Sequence, residues 1–151
     1  MNNKLIQKSR SLSRQYSDAS IMMHEAIARK AGLSGTDHKY LGLLIQQGSM
    51  TAGELAKLTG LTTGAVTGLV DRLEKKKLVK RRFDKSDRRK VIIVPDTDHA
   101  MELLEPLFAG LQERSEALIR SFTEEELAVL WRYFRSAIAI MDEVTNNLNN
   151  S

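Results

Sequence analysis

Eleven Lys and Arg side chains crowd the segment from Arg72 to Lys90: Arg72, Lys75, Lys76, Lys77, Lys80, Arg81, Arg82, Lys85, Arg88, Arg89 and Lys90. Only Glu74, Asp84 and Asp87 oppose them, so these 19 residues carry +8 while the other 132 sum to −4. The stretch from Val91 to Ser151 alone holds four basic and eleven acidic residues. One compact basic block on an otherwise acidic chain is the footprint of a polyanion-binding face. A solvated charge run is the plainer reading, and the elements on either side of the block decide between the two.

Composition removes several other chemistries. With no cysteine among 151 residues, disulfide frameworks, thiolate metal sites, thiol nucleophiles and thiol redox sensing all drop out. Aromatic residues are 5%, too few for a platform that stacks single-stranded bases. No apolar run approaches the roughly 20 residues that span a bilayer. The first residues, MNNKLIQKSRSLSRQYSD, lack a continuous hydrophobic signal region. A cytoplasmic protein with no membrane partner is the expectation. There is no phosphate-binding glycine loop, nucleophile elbow or metal-hydrolase motif, so no catalytic residues and no enzyme activity are expected. His24, His38 and His99 are far apart in sequence and set no metal-ligand spacing, so they read as surface or hydrogen-bonded side chains. No metal and no cofactor are expected.

The elements that must position the basic block are legible from periodicity and punctuation. Leu5, Leu12, Tyr16, Ala19, Met23, Ile27 and Ala31 recur at helical steps, and Gly32 ends that helix. Thr36 or Asp37 caps a short helix with Leu41, Leu44 and Ile45 inward, closed by Gly48. Thr51-Ala52-Gly53-Glu54 is a capping box opening a third helix through Leu55, Ala56 and Leu58. The chain breaks at Thr59-Gly60-Leu61, and Thr62 or Thr63 caps a helix whose inward face is Val66, Leu69, Val70 and Leu73. Two short helices joined by a glycine turn make a helix-turn-helix, or a hairpin of an ordinary bundle. The β-favouring runs Leu78–Phe83 and Arg89–Val94 then flank the turn Asp84-Lys85-Ser86-Asp87, a β-hairpin with a basic tip. Helix-turn-helix followed at once by such a hairpin is a winged helix.

Two long helices follow. One starts near Asp98 and turns Leu104, Leu107, Phe108, Leu111 and Leu118 inward, with Pro106 set to kink it unless the regular helix starts there. The other opens with the capping box Thr123-Glu124-Glu125-Glu126 and carries Leu127, Leu130, Trp131, Phe134, Ile138, Met141 and Leu148. Asn146 to Ser151 is a polar tail expected to fray. The terminal helices present more apolar stripe than a domain of about sixty residues covers. They pack on one another in a monomer, or interdigitate with a second copy in a two-fold dimer. The dimer is the reading preferred, because it sets two recognition helices about one DNA turn, roughly 34–36 Å, apart. The fold class is therefore mainly α with a small β-hairpin. Residues 33–97 form the winged helix-turn-helix region, and 1–32 and 98–148 form dimerisation helices.

The stretch GELAKLTGLTTGAVTGLVDRLEKKKLVKRR, from Gly53 to Arg82, continued by DKSDRRK from Asp84 to Lys90, resembles the MarR family of bacterial transcriptional regulators. The resemblance is most specific at Asp71-Arg72-Leu73-Glu74 and Asp87-Arg88-Arg89, and the helix order extends it over essentially the whole chain. Two positions depart from the family pattern. Lys77 stands where a glycine is common before the first wing strand, and Val94-Pro95-Asp96 replaces a frequent Leu-Thr with a nearby glycine.

The resemblance implies a homodimer on double-stranded DNA, with the helix from Thr63 to Lys76 in the major groove and the wing in the minor groove. The exposed N-terminal residues of that helix would be Thr62, Thr63, Gly64, Ala65, Thr67 and Gly68. Threonine hydroxyls bond base edges or phosphates, and small methyls pack on thymine. Gly64 and Gly68 serve either close packing or close approach of the backbone to DNA. No long polar side chain suited to a bidentate base contact lies on the first turns, so phosphates and DNA shape should carry a large share of recognition. Arg72 is expected on a phosphate or on Asp87 of the wing. Arg88 and Arg89, read as neighbours on a strand, point to opposite sides. The family pattern selects Arg89, oriented by Asp87, for the minor groove, and leaves Arg88 and Lys85 to phosphates. A small aromatic or anionic effector is a further implication of the resemblance. Met23, His24, Ile27, His38 and Leu41 would line its pocket, although the apolar ones read equally as core. The rival reading, a winged-helix module using the same basic face on an acidic partner protein, is separated from the first by Arg89→Ala, which would cripple DNA binding alone.

Overall fold

Caps and breakers position the elements. In the computed structural model, which describes residues 2–87 and 89–150, α1 (Asn3–Lys30) opens at Asn2, whose side chain accepts the Lys4 N–H at 3.0 Å. The next helix, α2 (Gly35–Gln47), is capped by Ser34, which accepts the Asp37 N–H at 3.0 Å. The cap is thus Ser34 rather than Thr36 or Asp37, because only from Ser34 does a hydroxyl reach the N–H three residues on; the other two lie within the first turn. A two-residue strand, β1 (Met50–Thr51), leads into α3 (Ala52–Thr59), where Thr51 and Glu54 form the expected capping box. Gly60 closes α3 at φ 71°, a left-handed conformation that glycine adopts without a Cβ penalty. Thr62 accepts the Ala65 N–H and starts α4 (Thr63–Lys75).

The end of α4 uses an uncommon residue. Lys77 donates its N–H to Glu74 O at 2.8 Å and Leu78 to Leu73 O at 3.0 Å, the paired bonds of a Schellman motif. The left-handed position of that motif is held by Lys77, at φ 60°. Buried Leu78 and Leu73, the two positions whose apolar contact usually accompanies this motif, lock the turn into the core. Lysine thus occupies a backbone position that glycine would adopt without a Cβ penalty.

Strands β2 (Val79–Phe83) and β3 (Val91–Pro95) pair antiparallel from Val79 with Pro95 to Phe83 with Val91. The sheet has a third strand that periodicity does not predict: β1 pairs with β3, giving the order β1-β3-β2. Two residues are too few to display alternation. Leu55, Val66, Leu69, Val70, Leu73 and Ile93 are fully enclosed between these helices and the sheet, each worth about 2 kcal/mol as area removed from water.

After β3 come α5 (Thr97–Arg120) and α6 (Glu124–Asn149), the latter opened by a capping box of Thr123 and Glu126. Helix α6 runs on to Asn149, and Asn150 returns both its backbone N–H and its side-chain amide to Asn146 O. Pro106 lies inside α5, so the regular helix does not start there. The chain divides into two compact units, Met1–Leu107 and Phe108–Ser151, and the division falls just after that proline. Leu104 is buried as expected, but Leu107 and Phe108 are half-buried and Leu111 and Leu118 are exposed. No residue of α6 is buried, and Trp131 of its apolar stripe is 57% exposed. In α1 the stripe is likewise buried only near its end, at Ile27 and Ala28. No helix of the described residues is long and apolar enough to cross a membrane.

Candidate nucleic-acid interface

Helix α4 has two faces with different tasks. Val66, Leu69, Val70 and Leu73 anchor it in the core, leaving Thr62, Thr63, Gly64, Ala65 and Thr67 exposed and Gly68 half-exposed. Part of the threonine chemistry is already engaged. The Thr62 hydroxyl oxygen accepts the Ala65 N–H at 3.2 Å, and the Thr67 hydroxyl donates to Thr63 O at 3.0 Å. The two glycines differ. A Cβ on Gly64 would meet nothing within 4 Å, which removes packing within this chain as its explanation. A Cβ on Gly68 would come within 3.3 Å of Arg72 Nη1.

Within the chain, Arg72 is held by α2 rather than by the wing. Its Nε donates to both oxygens of Asp37, at 3.2 and 3.0 Å, and Nη2 donates to Oδ1 at 2.8 Å. The partner is therefore Asp37 of α2 and not Asp87 of the wing. The fork suits a carboxylate that is itself buried, the side chains of Arg72 and Asp37 being 54% and 5% exposed. The Asp37 carboxylate raises the already high pKa of the guanidinium. A second arginine is also engaged: Arg81 of β2 bonds Glu74 and, at 2.5 Å, Asp71, both on α4. Its backbone N–H goes to Glu74 Oε1 at 3.1 Å, so β2 is pinned along the end of α4. Two of the eleven bases thus fix the angle of α4, and Lys75, Lys76, Lys77, Lys80, Arg82, Lys85, Arg89 and Lys90 stand exposed.

The wing tip is a hydrogen-bonded turn. Asp84 Oδ1 accepts from the Ser86 hydroxyl, the Ser86 N–H and the Asp87 N–H, and these bonds hold its carboxyl below the ordinary carboxylate range. Asp87 accepts the backbone N–H of Arg89 at 3.0 Å, so it orients Arg89 through the main chain. Arg89 lies in a turn ahead of β3, not on the strand, because these two carboxylates claim the N–H groups that a ladder would use. The strand alternation expected for the two arginines does not apply to Arg89, and Arg88 lies outside the described residues. Lys85 and Arg89 are exposed at the tip, and Asp87 is half-buried.

The residues read as an effector pocket fall into two environments. Ile27 and Leu41 are buried, Leu41 completely, and Met23 is half-buried. His24 and His38, fourteen residues apart, meet: His24 Nδ1 and His38 Nε2 are 3.2 Å apart with ring centroids separated by 5.4 Å. Burial, and then the neighbouring His24, lower the pKa of His38 below 6.5. No group of three or more His, Cys, Asp or Glu among the described residues could hold a metal ion. Sequence reasoning missed the Asp37–Arg72 fork and the Arg81 clamp, for which no spacing signal exists, whereas it set His24 and His38 together in one pocket.

A helix-turn-helix followed by a two-stranded wing, with exposed bases on the wing and beyond the second helix, defines a winged-helix DNA-binding protein. The family model described as "MarR family" matches residues 31–90. The chain is 44% identical over 137 residues to the HTH-type transcriptional regulator YcgE of Bacillus subtilis (strain 168), an overlap covering 91% of this chain and 88% of that relative. Among solved structures, a MarR family protein from Bacillus stearothermophilus matches with TM-score 0.71 and 26% identity, covering 94% of this chain and 99% of the other. FabT of Streptococcus pneumoniae, solved in complex with DNA, matches with TM-score 0.72 and 17% identity over 93% and 99% of the two chains. This chain belongs to the MarR family and is a transcriptional regulator with a DNA-binding winged-helix fold.

Proposed function

We propose that the protein is a cytoplasmic, homodimeric repressor that binds a pseudo-palindromic operator in duplex DNA and releases it when a small aromatic or anionic effector binds. The observation that carries this reading is the division of labour in the basic block. Arg72 and Arg81 are engaged in setting α4, while the exposed bases lie at the end of α4 and along the wing beside it. In this reading Thr62, Thr63, Gly64, Ala65, Thr67 and Gly68 face the major groove with little side-chain bulk. Arg89 enters the minor groove, where a narrow groove concentrates negative potential. Lys85 and Arg88 meet phosphates, and Arg72 and Asp87 act on DNA indirectly, by holding α4 and Arg89. FabT, whose structure holds DNA, supports the fold's fitness for this task.

The dimer is supported by uncovered apolar surface: Leu5, Leu12 and Tyr16 on α1, and Trp131, Ile138 and Met141 on α6. Residues 1–32 and 98–148 would supply the two-fold contact, leaving 33–97 to DNA. The effector would enter near Met23, His24, Ile27, His38 and Leu41 and favour a spacing of the two recognition helices that does not match the operator.

Selection of binding duplexes from a random library, followed by footprinting, tests the reading. An inverted repeat with half-sites about one helical turn apart is expected, protected in both half-sites by two chains. Failure to enrich any duplex, or protection of a single half-site by one chain, contradicts it.

A further inference from the structure

We propose that the His24–His38 pair is a proton-operated latch on the recognition helix, transmitted through the adjacent residue Asp37. Its consequence for DNA rests on the reading above, whereas the latch itself is a property of the free protein. His38 and Asp37 are neighbours in the first turn of α2 and face different elements. His38 meets His24 of α1 at 3.2 Å, and Asp37 takes the fork of Arg72 on α4. One turn of α2 is therefore tied on one side to α1 and on the other to the helix that presents Thr63, Gly64 and Thr67.

The two ring nitrogens at 3.2 Å require one hydrogen between them. With one N–H donating to the other ring's lone pair, the contact is attractive. With both rings fully protonated, two N–H groups and two positive charges oppose each other, and the rings must part. His38 also lies at the N-terminal end of α2, where the helix dipole disfavours a cation. Charged groups of both signs lie near this turn of α2. From α1 comes Glu25, whose Cγ lies 3.5 Å from the place of a Cβ on Gly35. From α2 comes Asp37, engaged with Arg72 of α4. Lys76, at the end of α4, brings its Nζ to 3.7 Å from the place of a Cβ on Gly32. Strand β3, which also packs on α2, carries no titratable residue.

The direction follows from the lowered pKa of His38. The closed pair is fully favoured above the unperturbed value of 6.5 and is lost as pH falls from there through the lowered value. Parting of the rings displaces the first turn of α2, and with it the carboxylate that fixes Arg72.

The test follows histidine Cε1–H and the Arg72 Nε–H resonance of the free, full chain by NMR from about pH 8 to about pH 5.5. The Arg72 resonance should move with the midpoint of His38. Binding of a selected duplex, at constant salt, should weaken about fivefold or more over that range, and change about twofold or less in the His24→Gln/His38→Gln variant. An Arg72 resonance that stays still while His38 titrates overturns the latch, as does equal weakening in the variant. Absence of selective DNA binding at the higher pH removes the DNA reading instead, and the Arg72 resonance, which needs neither DNA nor a variant, then decides the latch alone.

Discussion

Arg72 of α4 clasps Asp37 of α2 across 35 residues of sequence, with Nε reaching both carboxylate oxygens and Nη2 one of them. Asp37 is buried and Arg72 is half-exposed, so the pair is unequal: losing the arginine strands a charge, while losing both leaves little unsatisfied. Arg72→Ala should destabilise the protein by about 2 kcal/mol, read by urea unfolding. Combining it with Asp37→Asn should show a coupling of about 1 kcal/mol or more in a double-mutant cycle. Strictly additive losses would reduce the fork to an incidental surface contact.

Gly64 separates a packing role from an interface role. Since a Cβ there meets nothing, Gly64→Ala should raise helix stability by up to about 1 kcal/mol. If the backbone of α4 approaches DNA at this point, the same variant should bind its duplex more weakly despite melting later. A more stable variant with undiminished DNA affinity would remove Gly64 from the interface.

Lys77 pays a conformational cost at φ 60° that glycine would not. Lys77→Gly should therefore stabilise the fold by about 1 kcal/mol, visible as a raised thermal midpoint. An unchanged or lowered midpoint would mean that the lysine side chain offsets the strain of the Schellman turn.

Arg89 is exposed at the tip, with its backbone fixed by Asp87. Arg89→Ala should weaken duplex binding and lower the salt slope by about 1, with thermal stability unchanged. Equal binding by wild type and variant would exclude the wing arginine from the contact.

Much of this fold can be read directly along the chain, because its helices are punctuated. Thr51, Gly60, Thr62 and Thr123 each act within a few residues, so local chemistry reveals them. What escapes is non-local or too short. The strand β1 has two residues and exists only through β3. Asp37, which reads locally as a cap, finds its carboxylate partner on another helix. Arg89 reads as a strand residue until Asp84 and Asp87 take the N–H groups of the tip. The basic face is legible as charge, but charge alone does not reveal that Arg72 and Arg81 serve α4 itself.

Selective recognition of duplex DNA is the role proposed for this basic face. Fluorescence anisotropy against duplex DNA from upstream of the protein's own gene, with a scrambled control across a salt series, tests it most directly. The expected result is tighter binding to the native duplex, with affinity falling steeply as salt rises. Equal, weak binding to both duplexes at every salt concentration would contradict recognition of that site, and the same result with duplexes selected from a random library would contradict the account as a whole.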